Sequence, residues 1–319
     1  MPLTITERSG ALSATGVAIE TTFGTPKTPT SFLAMMNNTM EHDPDWFSPP
    51  LIMGSRDKQV FNLYGMEKNT GSVEGALCPS NAAELIVAAV GTDVVTGVGP
   101  YVHTISQASV LSSLTVEKNV GDFQSVQFAG CRVNKLTVKA AVGAEAVTMT
   151  ADLMAQSAAV LTTPTPVTFV NELPFVFTES AVTLFGNARA DVKSVELTIE
   201  NDVKATGTFS GSSQPSFLTP VTVKVSGKCD VVWSSLNDPV YGDFTTLKNK
   251  TLGALALNFA HAGGNSVAFS CPQITLSKYG EDIKLEDVVF GTFTFEASKS
   301  FASGYTIQSV ITNSVATVY

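Results

Sequence analysis

Apolar and polar residues alternate strictly along much of this chain, and a β-strand is the regular element that turns such alternation into one buried and one wet face. In Val195-Glu196-Leu197-Thr198-Ile199-Glu200 the aliphatic residues share one face and the polar residues the other. Val221-Thr222-Val223-Lys224-Val225-Ser226 repeats the pattern, and Leu136, Val138 and Ala140 alternate with Thr137 and Lys139. A turn around Gly143 leads into Val147-Thr148-Met149-Thr150-Ala151-Asp152-Leu153, the second arm of a hairpin. Near the end, Phe293 and Phe295 alternate with Thr292, Thr294 and Glu296. Half-buried runs of this kind predict antiparallel sheet, so the fold class is all-β. Only two stretches read as helix. Asn81-Ala82-Ala83-Glu84 fits a cap with glutamate at the third position, leading into Leu85, Ile86 and Val87, with Gly91 as the stop. Asn237-Asp238-Pro239 offers a cap followed by proline, opening a short helix that ends near Leu247.

Strand order suggests an internal repeat. Gly71–Cys78 precedes the first helix, and Val223–Cys229 precedes the second. Ser125–Cys131 resembles Ser266–Cys271, and each is followed by a hairpin. The order strand, helix, loop, strand, cysteine, hairpin thus occurs twice, offset by about 140–150 residues, in a chain whose length suits two domains. The boundary falls in the proline-bearing Leu161–Pro166, giving domains 1–163 and 164–319, each with a flanking helix. Residues 42–59 lack periodicity and carry Pro44, Pro49 and Pro50 with Trp46, Phe47, Leu51 and Ile52, so they read as a docking loop.

Composition narrows the function. Charged residues make up 15% of the 319, against about 25% in ordinary domains. With a mean hydropathy of +0.20, this excludes a disordered chain and implies that much of the surface meets protein. Nineteen basic against 28 acidic residues, a net charge of −9, weigh against wrapping nucleic acid. No run approaches the roughly 20 apolar residues of a membrane helix, so no membrane anchoring is expected. The opening Met1–Arg8 lacks the pattern of a secretory signal, so synthesis in the cytoplasm is the expectation. Cys78, Cys131, Cys229 and Cys271 form no Cys-x-x-Cys pair and read as buried, reduced thiols.

A search for chemistry finds little. His42, His103 and His261 stand in no metal-binding spacing. His42, Asp43 and Asp45 are close enough to suggest ligands, but Pro44 and the neighbouring aromatics fit a contact loop better. Gly207–Ser213 reads as a turn rather than a nucleophile elbow. The carboxylate pairs Glu281-Asp282 and Glu286-Asp287 flank Ile283 and Leu285 and read as solvated charges at hairpin ends. Two glycosylation sequons, at Asn37 and Asn249, read as chance matches. No catalytic set, metal or cofactor is expected, which favours a structural or binding protein over an enzyme.

Gly16-Val17-Ala18-Ile19-Glu20-Thr21-Thr22-Phe23-Gly24-Thr25-Pro26, followed by Thr30–Leu33, resembles the N-terminal pattern of tail tube proteins from long-tailed, non-contractile bacteriophages. Leu173–Phe177 and Val192–Asn201 are similar to later stretches of the same family. The resemblance implies two tandem β-sandwich or half-barrel domains, related to type VI secretion tube proteins. It implies rings whose inner sheets join into a barrel, stacked along the virion tail, with tape measure, terminator and tip proteins as partners. Genomic DNA would pass through the lumen without specific binding, helped by an acidic wall. A chain carrying the unit twice suggests a trimeric, pseudo-sixfold ring in place of a hexamer. A tail terminator, a secretion-type tube component, and a carbohydrate-binding sandwich or adhesin are the competing readings.

Met1–Thr15 and the loop with Trp46, Phe47, Leu51 and Ile52 are the expected contacts between rings. Glu74, Lys139, Asp152, Lys224 and Glu296 are the expected lumen positions, because alternation sets them opposite the core. Trp233 reads as core.

Overall fold

A computed structural model describes residues 9–121, 124–143, 145–234, 242–283 and 289–319. The first half holds β1 (Ala14–Ile19), β2 (Ser31–Phe32), β3 (Met35–Asn38), β4 (Glu41–Asp43), β5 (Trp46–Phe47), β6 (Leu63–Tyr64) and β7 (Lys68–Ala76). Helix α1 (Ala83–Val90) follows, then β8 (Gly91–Thr96), β9 (Tyr101–Gln107), β10 (Leu114–Val120), β11 (Gln124–Ala141), β12 (Thr148–Ala155) and β13 (Ser157–Leu161). The second half holds β14 (Ser180–Leu184), β15 (Asn187–Arg189), β16 (Val192–Glu200), β17 (Val203–Thr206), β18 (Phe217–Pro220) and β19 (Lys224–Val232). It continues with α2 (Asp243–Lys248), β20 (Gly253–Ala260), β21 (Ser266–Asp282), β22 (Phe290–Ala297) and β23 (Gln308–Asn313). All the strand pairs are antiparallel, and the all-β class holds.

Two long strands organise these elements. The first part of β11 lies between β10 and β13, and its second part lies between β12 and β16. The strand changes sheet at Gly130, whose φ of +64° is a conformation that a side chain resists. β21 behaves likewise, running between β20 and β23 and then alongside β22. The result is an inner sheet of eight strands, in the spatial order β3 with β4, β7, β12, β11, β16, β19, β22 and β21. Behind it stand two outer sheets, β2-β1-β10-β11-β13 and β15-β14-β20-β21-β23-β9-β8.

One apolar core fills the space between inner and outer layers. Val73, Leu136, Leu153, Leu197, Cys229, Phe293 and Phe295 enter it from the inner sheet, and Val116, Phe128, Phe259 and Phe269 from behind. Helix α1 is buried along its whole length and packs on β11, β8 and β9. Its apolar residues dominate, so burial rather than helix propensity holds it in place. It ends at Gly91 as expected, but its start differs: Ala82 occupies the cap position without a side-chain bond. The Asn81 amide turns instead to the Phe32 carbonyl at 3.4 Å. The second helix begins at Asp243, and the expected cap at 237–239 lies outside the described residues.

Strand registers recur between the halves with their irregularities. β10 and β11 slip between Leu114↔Cys131 and Val116↔Phe128, and β20 and β21 slip between Gly253↔Ile274 and Leu255↔Cys271. The β11–β12 slip at Val133/Lys135 reappears in β21–β22 at Leu276/Lys278. The β3–β7 slip at Met35/Asn37 reappears in β16–β19 at Val192/Ser194. These registers recur in the order that the sequence suggested, but the residue alignment read from the sequence needs correcting. Cys271 stands where Phe128 stands, and Cys229 where Val73 stands, so the matched cysteines are not equivalent. Small buried hydrophobes interchange at such positions, which misled the comparison.

The four cysteines are free and buried, and burial pushes the thiols of Cys229 and Cys271 up to about 12. The expected boundary at 163/164 falls in the irregular passage between β13 and β14, tied down where the buried Glu117 carboxylate accepts the amide and hydroxyl of Thr165. Trp233 is half-buried, its ring 6.3 Å from that of Tyr279. No described helix is long and apolar enough to cross a membrane.

Candidate assembly surfaces

The inner sheet turns one face to the core and one away from it. Cross-strand pairing puts Glu74 opposite Thr150, Asp152 opposite Ser72 and Lys135, and Lys139 opposite Thr148 and Glu196. Lys224 is opposite Glu200, and Glu296 is opposite Ser226. Neighbours across a ladder share a face, so all five expected lumen residues lie on the polar face. That face carries both signs of charge, with an excess of carboxylates. Glu41, Asp43, Glu74, Asp152, Glu196, Glu200, Asp230 and Glu296 interleave with Lys68, Lys135, Lys139, Lys224, Lys228 and Lys278. Lys224 Nζ lies 3.4 Å from Glu296 Oε1, and Lys228 Nζ 3.2 Å from Asp230 Oδ1. Hydrogen bonds from Ser194 and Thr292 help hold the Asp230 carboxyl below its usual range, against the burial that would raise it.

Among the described residues the two ends of this sheet are open. At one end β4 pairs there only with β7, through Glu41↔Thr70, His42↔Asn69 and Asp43↔Lys68. At the other, residues 275–282 of β21 pair with β22 and show no second partner among the described strands. Unpaired backbone along a sheet edge is a template for a further strand. Edge charges complement each other, Lys278 on β21 against Asp43 and Glu41 on β4.

A third surface is the 42–66 segment. It is not wholly irregular: β4 opens it, and β5 and β6 form a small hairpin with Trp46↔Tyr64 and Phe47↔Leu63. Trp46 is 62% exposed and Ile52 fully exposed, with Phe47, Leu51, Met53, Phe61, Leu63 and Tyr64 also outside. Within it, Trp46 and Tyr64 stack edge-on at 5.2 Å. An apolar cluster this dense on one segment is a candidate interaction site.

A profile of the family described as phage tail tube protein matches residues 10–297. The chain belongs to that family. Comparison with curated proteins finds no match. A tail tube protein is a structural component of the virion tail that assembles with other copies and other tail proteins into a tube. Such a protein requires large self-complementary surfaces, and the open edges and the exposed hairpin of this tail tube protein are the candidates for them.

Buried polar clusters fix the framework behind these surfaces. Arg189 gives two hydrogen bonds to Asp191 at 2.7 Å and two to Asp243 at 3.0 Å, joining β15 to the first residue of α2. This fork holds the Asp191 carboxyl below its usual range, while burial raises that of Asp243. His103 lies between Asp93 at 2.8 Å and the Val315 carbonyl at 2.9 Å, with the Tyr319 ring beside it. His261 bonds Glu179 at 2.6 Å and stacks on Phe175. His42 bonds Asn69 at 2.7 Å, and among the described residues no three His, Cys, Asp or Glu side chains converge as metal ligands. Residues 1–8 of the expected N-terminal arm and the Glu286-Asp287 pair lie outside the described residues. Sequence reading missed the edge residues Asp43 and Lys278. The only available signal was their opposite charge, far apart in the chain.

Proposed function

We propose that this tail tube protein forms rings of three copies, each contributing two equivalent units, and that the rings stack into a tube conducting DNA. The observation that carries the reading is the junction inside the chain. There β11 of the first half pairs with β16 of the second, from Lys135↔Glu200 to Ala141↔Ser194. By the matched registers, β21 is the counterpart of β11 and β3 with β4 is the counterpart of β16. Those are the two open edges, so each copy can repeat its internal junction with the next. The counterpart of Lys135↔Glu200 is then Lys278 opposite Asp43, again a lysine facing a carboxylate. Three copies close a barrel of twenty-four strands with no edge left.

The polar face of the inner sheet lines the lumen in this arrangement, with Glu74, Lys139, Asp152, Lys224 and Glu296 on the wall. Its lysines face carboxylates across the strands, so few cations are free to displace the counterions of passing DNA. Leu51 and Ile52, at the tip of the 42–66 segment, are the contacts offered to the next ring. The role is structural, and no step calls for catalysis.

Charge reversal tests the junction. Lys278→Glu is expected to raise the concentration needed for tube formation by roughly fivefold, as about 1 kcal/mol of like-charge repulsion per junction would. Adding Asp43→Lys in the same chain is expected to restore assembly, measured by sedimentation and negative-stain microscopy. If the single variant assembles as the wild type does, the proposed register is wrong.

A further inference from the structure

The two halves each carry a hairpin between the matched strands, and the hairpins occupy different surroundings. β5–β6 links β4 to β7, and β17–β18 links β16 to β19. Their registers correspond, Trp46↔Tyr64 with Val203↔Pro220. The second hairpin leaves its own half and lies over the first. Glu67 N–H donates to the Ser213 carbonyl at 2.8 Å, and the Ser213 hydroxyl returns a bond to Glu67 Oε1 at 2.5 Å. Gln156 Nε2 donates to the Pro215 carbonyl at 3.2 Å. Phe217 and Leu218 sit with Phe23, Leu111 and Arg132 around one cleft, and Val203 and Leu218 are 5% and 4% exposed. By contrast Trp46, the counterpart of Val203, is 62% exposed.

The place where the second hairpin docks has its own counterpart. Matched registers carry Leu111 to Lys250, Arg132 to Thr275 and Gln156 to Ser298. In the first half that ground is covered by the hairpin. In the second half Lys250, Thr275 and Ser298, with Leu247, Leu276 and Ala297, line an open cavity of about 450 Å³. Among the described residues there is therefore one socket covered by the chain's own hairpin, one socket left open, and one apolar hairpin left exposed.

We propose that the β5–β6 hairpin of one copy seats in this cavity of the adjacent copy in the same ring, repeating between chains the contact that β17–β18 makes within the chain. The occupant is a second copy because the hairpin follows directly on β4, the edge paired with the neighbour's β21. Pairing Lys278 with Asp43 brings the hairpin to the neighbour's Thr275 and Ser277. Leu247, Leu276 and Ala297 supply an apolar floor for the aromatic side chains of the hairpin. Trp46 and Phe47 then serve contacts within a ring, leaving Leu51 and Ile52 for contacts between rings. This inference rests on the ring reading above.

Cysteine cross-linking separates the two. Phe61→Cys with Lys250→Cys places one thiol on the hairpin and one in the socket, at the counterparts of Phe217 and Leu111, while the four native thiols stay buried. Tubes of the double variant, oxidised and run without reductant, should give a ladder that stops at the number of chains per ring, measured independently by cryo-electron microscopy. A ladder climbing past that number would place the hairpin between rings and overturn the proposal. Tubes that form without cross-links would also overturn it. If the cysteine variant fails to fold, Trp46 fluorescence in a Trp233→Phe background gives a second reading. Its emission should shift to the blue on assembly, and an unchanged emission in assembled tubes counts against the socket. Failure of the wild type to form tubes at all would strike the ring reading instead.

Discussion

Glu84 sits inside α1 among alanine, leucine, isoleucine and valine, only 6% exposed, with Oε2 lacking a hydrogen-bond partner among the described residues. Burial pushes its carboxyl from 4.5 up to about 7. The folded state thus holds this proton more tightly than the unfolded chain does. The stability it contributes is complete below about pH 4.5 and is lost as pH rises through about 7. Glu84→Gln should leave stability at pH 3.5 nearly unchanged and raise it at pH 8.5 by about 3 kcal/mol, the equivalent of the shift. Guanidinium unfolding at the two pH values measures this, and equal effects at both would show that the carboxyl is not titrating in the fold. Arg189 presents the opposite case. Its replacement by leucine would leave Asp191 and Asp243 buried without their cation, and a loss of about 3–5 kcal/mol is expected in the same assay. The sequence pattern around Glu84 correctly indicated a helix, because an apolar run with a glycine stop is a local signal. It misassigned the glutamate as a cap partner, because capping depends on where Asn81 points, and tertiary packing turned Asn81 to Phe32.

Among the elements, alternation made the middle strands legible. β12, β16 and β22 fall close to their expected ranges, since each has one core face and one wet face. The run at 221–226 was only partly a strand: β19 begins at Lys224, and Val221 and Val223 are exposed in the passage from β18. Strands β3 to β6 were invisible, being two to four residues long, with little or no buried side to produce a period. Gly71 and Gly227 show what the registers add. They are the same position in the two halves, and at each a side chain would strike a neighbouring strand: the Thr39 carbonyl 2.6 Å from a Cβ at Gly71, the Glu196 carbonyl closer still at Gly227. Gly71→Ala and Gly227→Ala should each destabilise the chain by about 1–3 kcal/mol through overpacking. Thermal unfolding of the two variants tests this, and an alanine tolerated at either position would break the equivalence.

For the whole molecule, the sequence indicated two related halves but placed a linker between them, whereas one inner sheet runs through both. Continuity was illegible because β11 and β16 meet across more than fifty residues of chain, and pairing at such separation leaves no local trace. The expected ring is a trimer. Mass photometry or cryo-electron microscopy of assembled rings should count three chains, and six would return the second half to a role outside the barrel. The β11–β16 junction has a consequence for how such a ring comes apart. Of six equivalent seams, three lie within a chain, where the tether sets a high effective concentration and a broken seam rejoins its own partner. Only the other three can open by dissociation. A ring built this way fails, and grows, in steps of two units, and its weak points recur every 120° around the tube.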